Sequence, residues 1–199
     1  MRNSNNQTSV DGVILLAAGK ARRFGSDKRL ALLGEQPLLA VTLQRYLQLP
    51  VEIVVVVDAH PDERILNLIP DDIQCLRANV VESWGMGDSL ALGADYAIAA
   101  NWQRCLIALA DMPFVQIQTL QEILHALHAH DAVVPVCQNH WGHPVGFTRK
   151  YLPQLAGLTG DRGAKAILQS AHPFELHVDD RGVLQDIDVP GDLVAHIKS

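Results

Sequence analysis

Short apolar runs recur along this chain, separated by polar segments that contain glycine, proline and charged residues. The most aliphatic runs cover residues 13–17, 51–57, 104–110 and 132–136, and shorter β-like runs cover residues 73–76, 174–178 and 183–187. Runs of this kind are typical of strands buried in a parallel sheet. Helical spacing lies between them, at residues 38–47, 62–68, 89–100 and 119–129. This alternation predicts an α/β protein with a single-domain, Rossmann-like, layered and mainly parallel sheet.

Composition restricts the possible partners. The 199 residues are 48% hydrophobic and carry a formal net charge of −6, which argues against non-specific binding of nucleic acid. No apolar stretch approaches the length of a membrane span, and residues 1–9 are too polar for a signal peptide. We therefore expect a flexible tail at residues 1–9, one domain over residues 10–199, and no membrane partner.

The three cysteines are Cys75, Cys105 and Cys137, which are far apart and form no C-x-x-C pair. Cys105 and Cys137 lie in apolar runs, and this position favours buried thiols over disulfide partners. Because buried free thiols are typical of reducing compartments, the pattern predicts a cytoplasmic protein.

A basic, glycine-containing loop follows the first apolar run. Its cations are Lys20, Arg22, Arg23 and Lys28. Gly19 and Gly25 allow the backbone to turn sharply and approach a ligand. Because clustered cations repel each other, we expect an anionic ligand here, with a solvated surface loop as the alternative. Loops of this type, placed after a strand, hold phosphate groups in many α/β proteins.

The spacing of this loop differs from the two common phosphate-binding motifs, because it has one residue too many for a P-loop and lacks G-x-G-x-x-G. It matches L-A-A-G-x-x-x-R-F-G-x-x-K, and this pattern resembles the signature loop of the MobA-like nucleotidyltransferases. Proteins of that family transfer a nucleoside monophosphate from a nucleoside triphosphate. The resemblance implies nucleotide binding by Leu16, Ala17, Ala18, Gly19, Arg23 and Lys28. It also implies that Arg23 and Lys28 are catalytic.

A second glycine-rich segment, N-V-V-E-S-W-G-M-G-D-S, covers residues 79–89. From the residues alone, Asp88 or Ser89 is expected to cap the following helix. The segment also resembles the N-x-x-x-x-x-G-M/L-x-x-S stretch of the MobA-like family. That resemblance implies that Asn79, Gly85, Met86 and Ser89 line the nucleotide pocket.

Two acidic motifs are candidate metal ligands. Asp111 ends a predicted central strand, where a buried carboxylate needs a cation or hydrogen-bond donors; a turn or cap residue is the alternative. The family has D-x-P here, which implies that Asp111 holds Mg²⁺. Residues 186–193 resemble the family's D-[IV]-D-T-P-x-D, with Val189 replacing Thr. Strand alternation predicts Asp186 and Asp188 on one side, and Asp188 is the candidate second ligand, or else a helix cap.

Two further motifs resemble the cytidylyltransferase branch of the family, which acts on the molybdenum cofactor. They are G-H-P at residues 142–144 and G-D-R-G at residues 160–163. The resemblance implies acceptor binding by His143, Pro144, Asp161 and Arg162. On the residues alone, His143 is typical of a packed loop histidine, and Asp161 is expected to cap the next helix.

Together these resemblances imply a Mg²⁺-dependent transfer of CMP from CTP to a molybdopterin-type cofactor, with release of pyrophosphate. The product would pass to a molybdenum-dependent enzyme. Ala18 favours CTP, because the guanylyl branch usually has Ala-Gly-Gly where this chain has Ala17-Ala18-Gly19. The alternatives are another nucleotide or acceptor within the same family, such as GTP, and a non-catalytic carrier of the cofactor.

Overall fold

The computed structural model describes residues 10–18, 27–79 and 84–188. The strands in these ranges are β1 (Val10–Leu16), β2 (Leu32–Leu33), β3 (Gln36–Pro37), β4 (Glu52–Val57), β5 (Gln74–Arg77), β6 (Trp102–Leu109), β7 (Ala132–Cys137), β8 (His140–Trp141), β9 (Val145–Thr148) and β10 (Phe174–His177). The helices are α1 (Leu38–Tyr46), α2 (Glu63–Leu66), α3 (Met86–Ala99), α4 (Ile117–Ala126), α5 (Leu152–Ala156) and α6 (Lys165–Ser170). The predicted tail at residues 1–9 lies outside these ranges and stays a prediction.

One sheet organises the described residues, in the strand order β10-β7-β9-β6-β1-β4-β5, with β8 paired to β7. β1 is central and runs parallel to β4 and β6. β9 is antiparallel to β6 and β7, and β10 is parallel to β7. The predicted α/β fold with one mainly parallel sheet is therefore confirmed.

The core lies on both faces of this sheet. Along β1, Val13 and Leu15 pack into one apolar cluster, whereas Ile14 and Leu16 pack into the other. All four side chains are buried. The stretch of β1 that is apolar at every position, residues 13–16, therefore has both faces covered, as its sequence predicts. No helix in the described parts of the chain has the length and apolarity needed to cross a membrane.

The prediction of buried free thiols at Cys105 and Cys137 is confirmed, and Cys75 is a free thiol as well. Cys105 and Cys137 are buried, and Cys75 is partly exposed. Burial raises the pKa of the Cys105 thiol to about 12.

The expected strand at residues 183–187 is wrong, because a 3₁₀ helix forms over Arg181–Leu184. The buried carboxylate of Asp180 explains this difference. It accepts hydrogen bonds from the backbone N–H of Gly182 and from the hydroxyl of Thr119, at 2.9 and 2.8 Å. A side chain that binds its own backbone two residues on favours a turn over a strand.

Candidate active site

Two parallel strands, β1 and β6, place the start of the basic loop and the Asp111 motif at one edge of the sheet. In the register of β1 and β6, Leu16 lies opposite Leu109. The pairing continues one step further, since the N–H of Ala110 donates to the carbonyl of Leu16 at 3.0 Å. Asp111 therefore leaves the sheet beside Ala17 and Ala18. Crevices at the carboxyl ends of parallel strands are the usual ligand sites of such folds.

The amino group of Lys28 lies between two carboxylates at this edge. Its Nζ is 2.6 Å from Oδ2 of Asp111 and 3.0 Å from Oδ1 of Asp188. The Lys28 and Asp111 side chains are 18% and 22% exposed, whereas that of Asp188 is 53% exposed. Burial alone would lower the pKa of Lys28, but the hydrogen bonds and charges of the two carboxylates outweigh it and raise this pKa. Lys28 is therefore a cation at neutral pH.

Arg29 anchors Lys28, and the sequence motif did not point to it. Its buried guanidinium lies 2.5 Å from carboxylate oxygens of both Asp27 and Asp58 and donates to the carbonyl of Ala17 at 2.5 Å. The side chain of Asp27 also caps the 3₁₀ turn Lys28–Leu30 by accepting from the N–H of Arg29. Arg29 thus joins the end of β1 to the turn that presents Lys28. A cation next to the motif lysine was the only signal in the sequence.

The last described segment brings Asp188 to Asp111. The N–H of Ile187 donates to the carbonyl of Asp111 at 2.9 Å, and the Ile187 side chain is fully buried. This anchor leaves Asp186 and Asp188 exposed on either side of it. The segment is not a strand, but the alternation of buried and exposed residues predicted from the sequence is present over residues 186–188.

Asp111 has a second oxygen that the described residues leave unsatisfied. Its Oδ1 is buried without a hydrogen-bond partner among them. Mg²⁺ commonly uses one or two carboxylates together with waters and substrate phosphates. The pair Asp111 and Asp188 fits such a shared site. No cluster of three or more His, Cys, Asp or Glu residues suited to a metal occurs within residues 10–18, 27–79 and 84–188.

His143 packs beside this carboxylate cluster. A cis peptide joins it to Pro144, and its N–H donates to the carbonyl of Val183 at 2.9 Å. Burial lowers the pKa of His143, although a hydrogen bond with the backbone of Ile107 and the charge of Asp111 act in the opposite direction. The ring is therefore neutral at pH 7. Its Nδ1 is buried without a hydrogen-bond partner in the part of the chain that the structure describes.

Asp186 completes the group of acidic residues near His143. Partial burial, reinforced by the negative charges of Asp188 and Asp111, raises the pKa of Asp186, and Lys28 opposes this change. The site therefore has an excess of carboxylates over described cations, which favours the binding of a further cation.

The GMGD loop, defined here as residues 84–89, differs from the prediction at its helix start. α3 begins at Met86 and has Gly85 as its N-cap, with Asp88 at the third position accepting from the N–H of Gly85 at 2.9 Å. Ser89 is not the cap residue. Its buried hydroxyl donates to the carbonyl of Gly85 and accepts from the indole N–H of Trp84.

The GMGD loop contacts the TGDRG loop, defined here as residues 159–163. The N–H of Gly87 donates to the carbonyl of Gly160 at 2.7 Å, and the N–H of Gly160 donates to Oδ2 of Asp88 at 2.8 Å. Asp161 does not cap α6, whose N-cap is Ala164 with no side-chain hydrogen bond. Asp161 and Arg162 are exposed instead.

Comparison with known protein families identifies the family of this chain. The family model described as MobA-like NTP transferase domain matches residues 13–176, which include residues 13–16 of β1, the Lys28 turn, Asp111 and both glycine loops. The chain belongs to this family.

Two curated relatives of this MobA-like protein extend over most of it. Purine catabolism protein PucB of Bacillus subtilis (strain 168) is 28% identical over 188 residues, covering 89% of this chain and 91% of PucB. The 2-C-methyl-D-erythritol 4-phosphate cytidylyltransferase of Shewanella frigidimarina (strain NCIMB 400) is 32% identical over 143 residues, covering 67% of this chain and 60% of that enzyme. This MobA-like chain is therefore a transferase of the nucleotidyltransferase type.

Among solved structures, Rv0371c from Mycobacterium tuberculosis H37Rv superposes with a TM-score of 0.83 and 25% identity, covering 96% of this chain and 98% of Rv0371c. A second Rv0371c structure, a complex with manganese, has a TM-score of 0.78 and 22% identity, covering 96% and 99% of the two chains. The MobA-like fold is thus shared over nearly the whole length.

The structure brings some of the predicted site residues of this MobA-like chain together and leaves others apart. Lys28, Asp111 and Asp188 are in direct contact. Asn79 is exposed, and Met86 is exposed within the GMGD loop. Gly19 and Arg23 lie outside the described residues, so their roles stay predictions.

Proposed function

We propose that this protein is a Mg²⁺-dependent cytidylyltransferase that transfers CMP from CTP to the phosphate of a molybdopterin-type cofactor and releases pyrophosphate. The main support is the contact of Lys28 with Asp111 and Asp188 at the carboxyl edge of the sheet. This arrangement provides a cation for phosphate oxygens and two carboxylates for a metal, directly beside the Ala17-Ala18 strand end.

The reaction needs little proton transfer from the protein. The phosphate of the acceptor has a second pKa near ~6, so its oxygen is largely ionised at neutral pH. That oxygen attacks the α-phosphorus of CTP, the bond between the α- and β-phosphates breaks, and the electron pair leaves on pyrophosphate. Catalysis then depends on alignment of the two substrates and on neutralisation of charge.

Asp111 and Asp188 would hold the Mg²⁺. The Oδ1 atom of Asp111, which has no hydrogen-bond partner among the described residues, would be one of the ligand atoms. The bound ion would neutralise the oxygens of the triphosphate. Lys28 would shift from the carboxylates to the β- and γ-phosphates and offset charge on the leaving pyrophosphate. Arg23 would support it from the same loop.

The base preference would be decided near Ala18. A methyl group at this position restricts the space beside the base, which favours a pyrimidine over a bicyclic purine. Leu16, Ala17 and Gly19 would complete this wall, and Asn79, Gly85, Met86 and Ser89 would form the other side. The Shewanella relative is itself described as a cytidylyltransferase, which supports this preference.

The acceptor would bind on the side of His143 and Pro144, with Asp161 and Arg162 at its outer end. Because the His143 ring is neutral, it can serve as a hydrogen-bond partner without adding charge to the phosphate. The product would be delivered to a molybdenum-dependent enzyme in the cytoplasm.

Pyrophosphate release with a panel of nucleotides tests this proposal. The purified protein, MgCl₂ and a molybdopterin-type acceptor are mixed with CTP, GTP, ATP or UTP. We expect acceptor-dependent pyrophosphate with CTP and little with the others. Binding of the acceptor without any pyrophosphate would favour the carrier alternative, and faster release with GTP would favour the guanylyl one.

A further inference from the structure

The GMGD loop and the TGDRG loop were separate motifs in the sequence, 70 or more residues apart, but they form one contact in the structure. Two hydrogen bonds join the loops: Gly87 N–H donates to Gly160 O at 2.7 Å, and Gly160 N–H donates to Asp88 Oδ2 at 2.8 Å. Within the GMGD loop, Gly85 N–H donates to the same Oδ2 at 2.9 Å. One carboxylate oxygen therefore accepts a donor from each loop.

The two backbones approach so closely that side chains are excluded. A Cβ added to Gly85 would lie 2.4 Å from the carbonyl carbon and oxygen of Gly160, and one added to Gly87 would lie 2.6 Å from the carbonyl oxygen of Arg162. Gly160 itself has a φ of +62°, in the left-handed region that favours glycine. Gly85 and Gly87 are therefore required by the contact between the loops, and Gly160 by its own backbone conformation, before any ligand is considered.

Asp88 is the polar side chain that joins them. Its Oδ2 atom accepts a hydrogen bond from the N–H of Gly85 at the start of α3 and another from the N–H of Gly160. A ligand that shifts the GMGD loop must therefore also move the TGDRG loop or lose a charge-assisted hydrogen bond. Because the proposed function places the nucleotide against the first loop and the acceptor against the second, this bond links the two subsites.

We propose that Asp88 is a positioning residue that couples nucleotide binding to the acceptor subsite. This inference rests on the proposed function for the assignment of the two loops. Nucleotide bound at residues 84–89 fixes Asp88, and Asp88 fixes residues 159–163 in the conformation that presents Arg162 to the acceptor.

Three variants separate this role from simple capping of a helix. Asp88→Ala removes the acceptor atom for both N–H groups. Asp88→Asn retains it, since both bonds are accepted by a single oxygen that an amide carbonyl can replace. Asp95→Ala is the matched control, because Asp95 is an exposed carboxylate on the same helix. Thermal unfolding first verifies that each variant is folded. If Asp88→Ala is not folded, Asp88→Ser replaces it, because the shorter hydroxyl side chain cannot accept from both N–H groups.

Hydrogen–deuterium exchange with CTP and Mg²⁺, in the absence of acceptor, measures the coupling directly. In the wild-type protein we expect CTP to slow exchange at residues 84–89 and also at residues 159–163. In Asp88→Ala the effect at 84–89 persists, whereas the effect at 159–163 falls at least fivefold. Asp88→Asn retains more than half of it, and Asp95→Ala matches the wild type.

Steady-state kinetics supply the second readout. We expect Asp88→Ala to raise KM for the acceptor about tenfold while kcat changes less than threefold, with rescue by Asp88→Asn. Undiminished CTP protection of residues 159–163 in Asp88→Ala would overturn the coupling and leave the proposed function intact. Absence of protection at residues 84–89 in the wild type would overturn the assignment of the nucleotide site, and the coupling with it.

Discussion

Lys28 donates a 2.6 Å hydrogen bond to Asp111 across a separation of 83 positions in the chain. The lysine of the basic-loop motif is thus held by the carboxylate that we propose to bind the metal. The contact raises the pKa of Lys28. Under the proposed function, a bound metal would replace the ammonium group of Lys28 on these carboxylates, and the ammonium group would move to the phosphates of the nucleotide.

Asp111→Asn preserves the shape of the side chain and removes its charge. We expect kcat to fall by about two to four orders of magnitude, because the carboxylate is proposed to hold the ion that neutralises the triphosphate. Pyrophosphate release at saturating Mg²⁺ measures this loss, and circular dichroism verifies the fold. Asp131→Asn, which alters an exposed ion pair with Lys150, is the control. Near-normal turnover of Asp111→Asn would remove Asp111 from the metal site.

Replacement of Lys28 should change metal affinity in opposite directions with and without nucleotide. Without nucleotide, Lys28→Met removes the ammonium group that contacts both carboxylates and should tighten Mn²⁺ binding at least fivefold, measured by electron paramagnetic resonance. With CTP present, the same variant should weaken Mn²⁺ binding and raise KM for CTP, because the phosphates have lost a cation. An unchanged Mn²⁺ affinity in both conditions would mean that Lys28 and the metal do not share these carboxylates.

Arg23→Ala tests the part of the basic loop outside the described residues. We expect a higher KM for CTP or a lower kcat, with acceptor affinity unaltered, since the motif assigns Arg23 to the triphosphate. Arg64→Ala is a suitable control, because Arg64 is an exposed arginine paired with Asp62. Equal kinetic constants for Arg23→Ala and Arg64→Ala would make the basic loop a surface loop only.

Ala18→Gly should relax the choice of base. Removal of one methyl group changes discrimination by ~1–3 kcal/mol, so the ratio of kcat/KM for CTP over GTP should fall about 5- to 150-fold. The measurement uses both nucleotides with one acceptor. A ratio that is unchanged, or a wild-type protein that already prefers GTP, would show that Ala18 does not select cytosine.

Stability at alkaline pH should depend on Cys105. Its pKa is raised from 9.0 to about 12 by burial, so the native state keeps the proton that the unfolded state loses. Its contribution is complete below pH 9 and is lost as the pH rises toward 12, with a slope of up to ~1.4 kcal/mol per pH unit. Urea unfolding of Cys105→Ala should therefore show a smaller fall over this window than the wild type.

Tyr46 and Tyr96 provide the background for that comparison. Burial raises the pKa of Tyr46, and a hydrogen bond to Glu52 raises that of Tyr96 to about 12, so both give alkaline destabilisation of the same sign. Both tyrosines remain in Cys105→Ala, and the difference between the two proteins isolates the thiol. If the free energies of unfolding of the wild type and Cys105→Ala fell in parallel between pH 9 and pH 12, the pKa of Cys105 would be the same in the native and unfolded states.

The strands were predictable because their signal is local. Residues 51–57 form an apolar run at the sequence level and become Glu52–Val57 in the sheet, since an aliphatic run bounded by polar residues has few other buried arrangements. The position of Asp111 after the end of β6 was predictable for the same reason, because Asp111 directly follows such an apolar run.

Features that depend on distant partners were not predictable. The turn at Arg181–Leu184 forms because Asp180 binds Thr119, 61 positions away. The contact of Gly87 with Gly160 and the burial of Arg29 between Asp27 and Asp58 likewise need the completed fold. The glycines at residues 85 and 87 indicated a close approach of the backbone to another group. In the structure, that group is the backbone of the TGDRG loop.

The return of the chain to Asp111 through Ile187 also has a consequence for protein synthesis. Lys28 and its partner Asp188 are 160 positions apart, so a ribosome makes the lysine early and its second carboxylate much later. A nascent chain that has folded its first strands exposes the basic motif without the two-carboxylate cluster. Under the proposed function, in which Asp188 helps to hold the metal, nucleotidyl transfer has to wait until residue 188 has emerged from the ribosome. Shortened products that end before residue 188 should then be inactive even where their sheet forms.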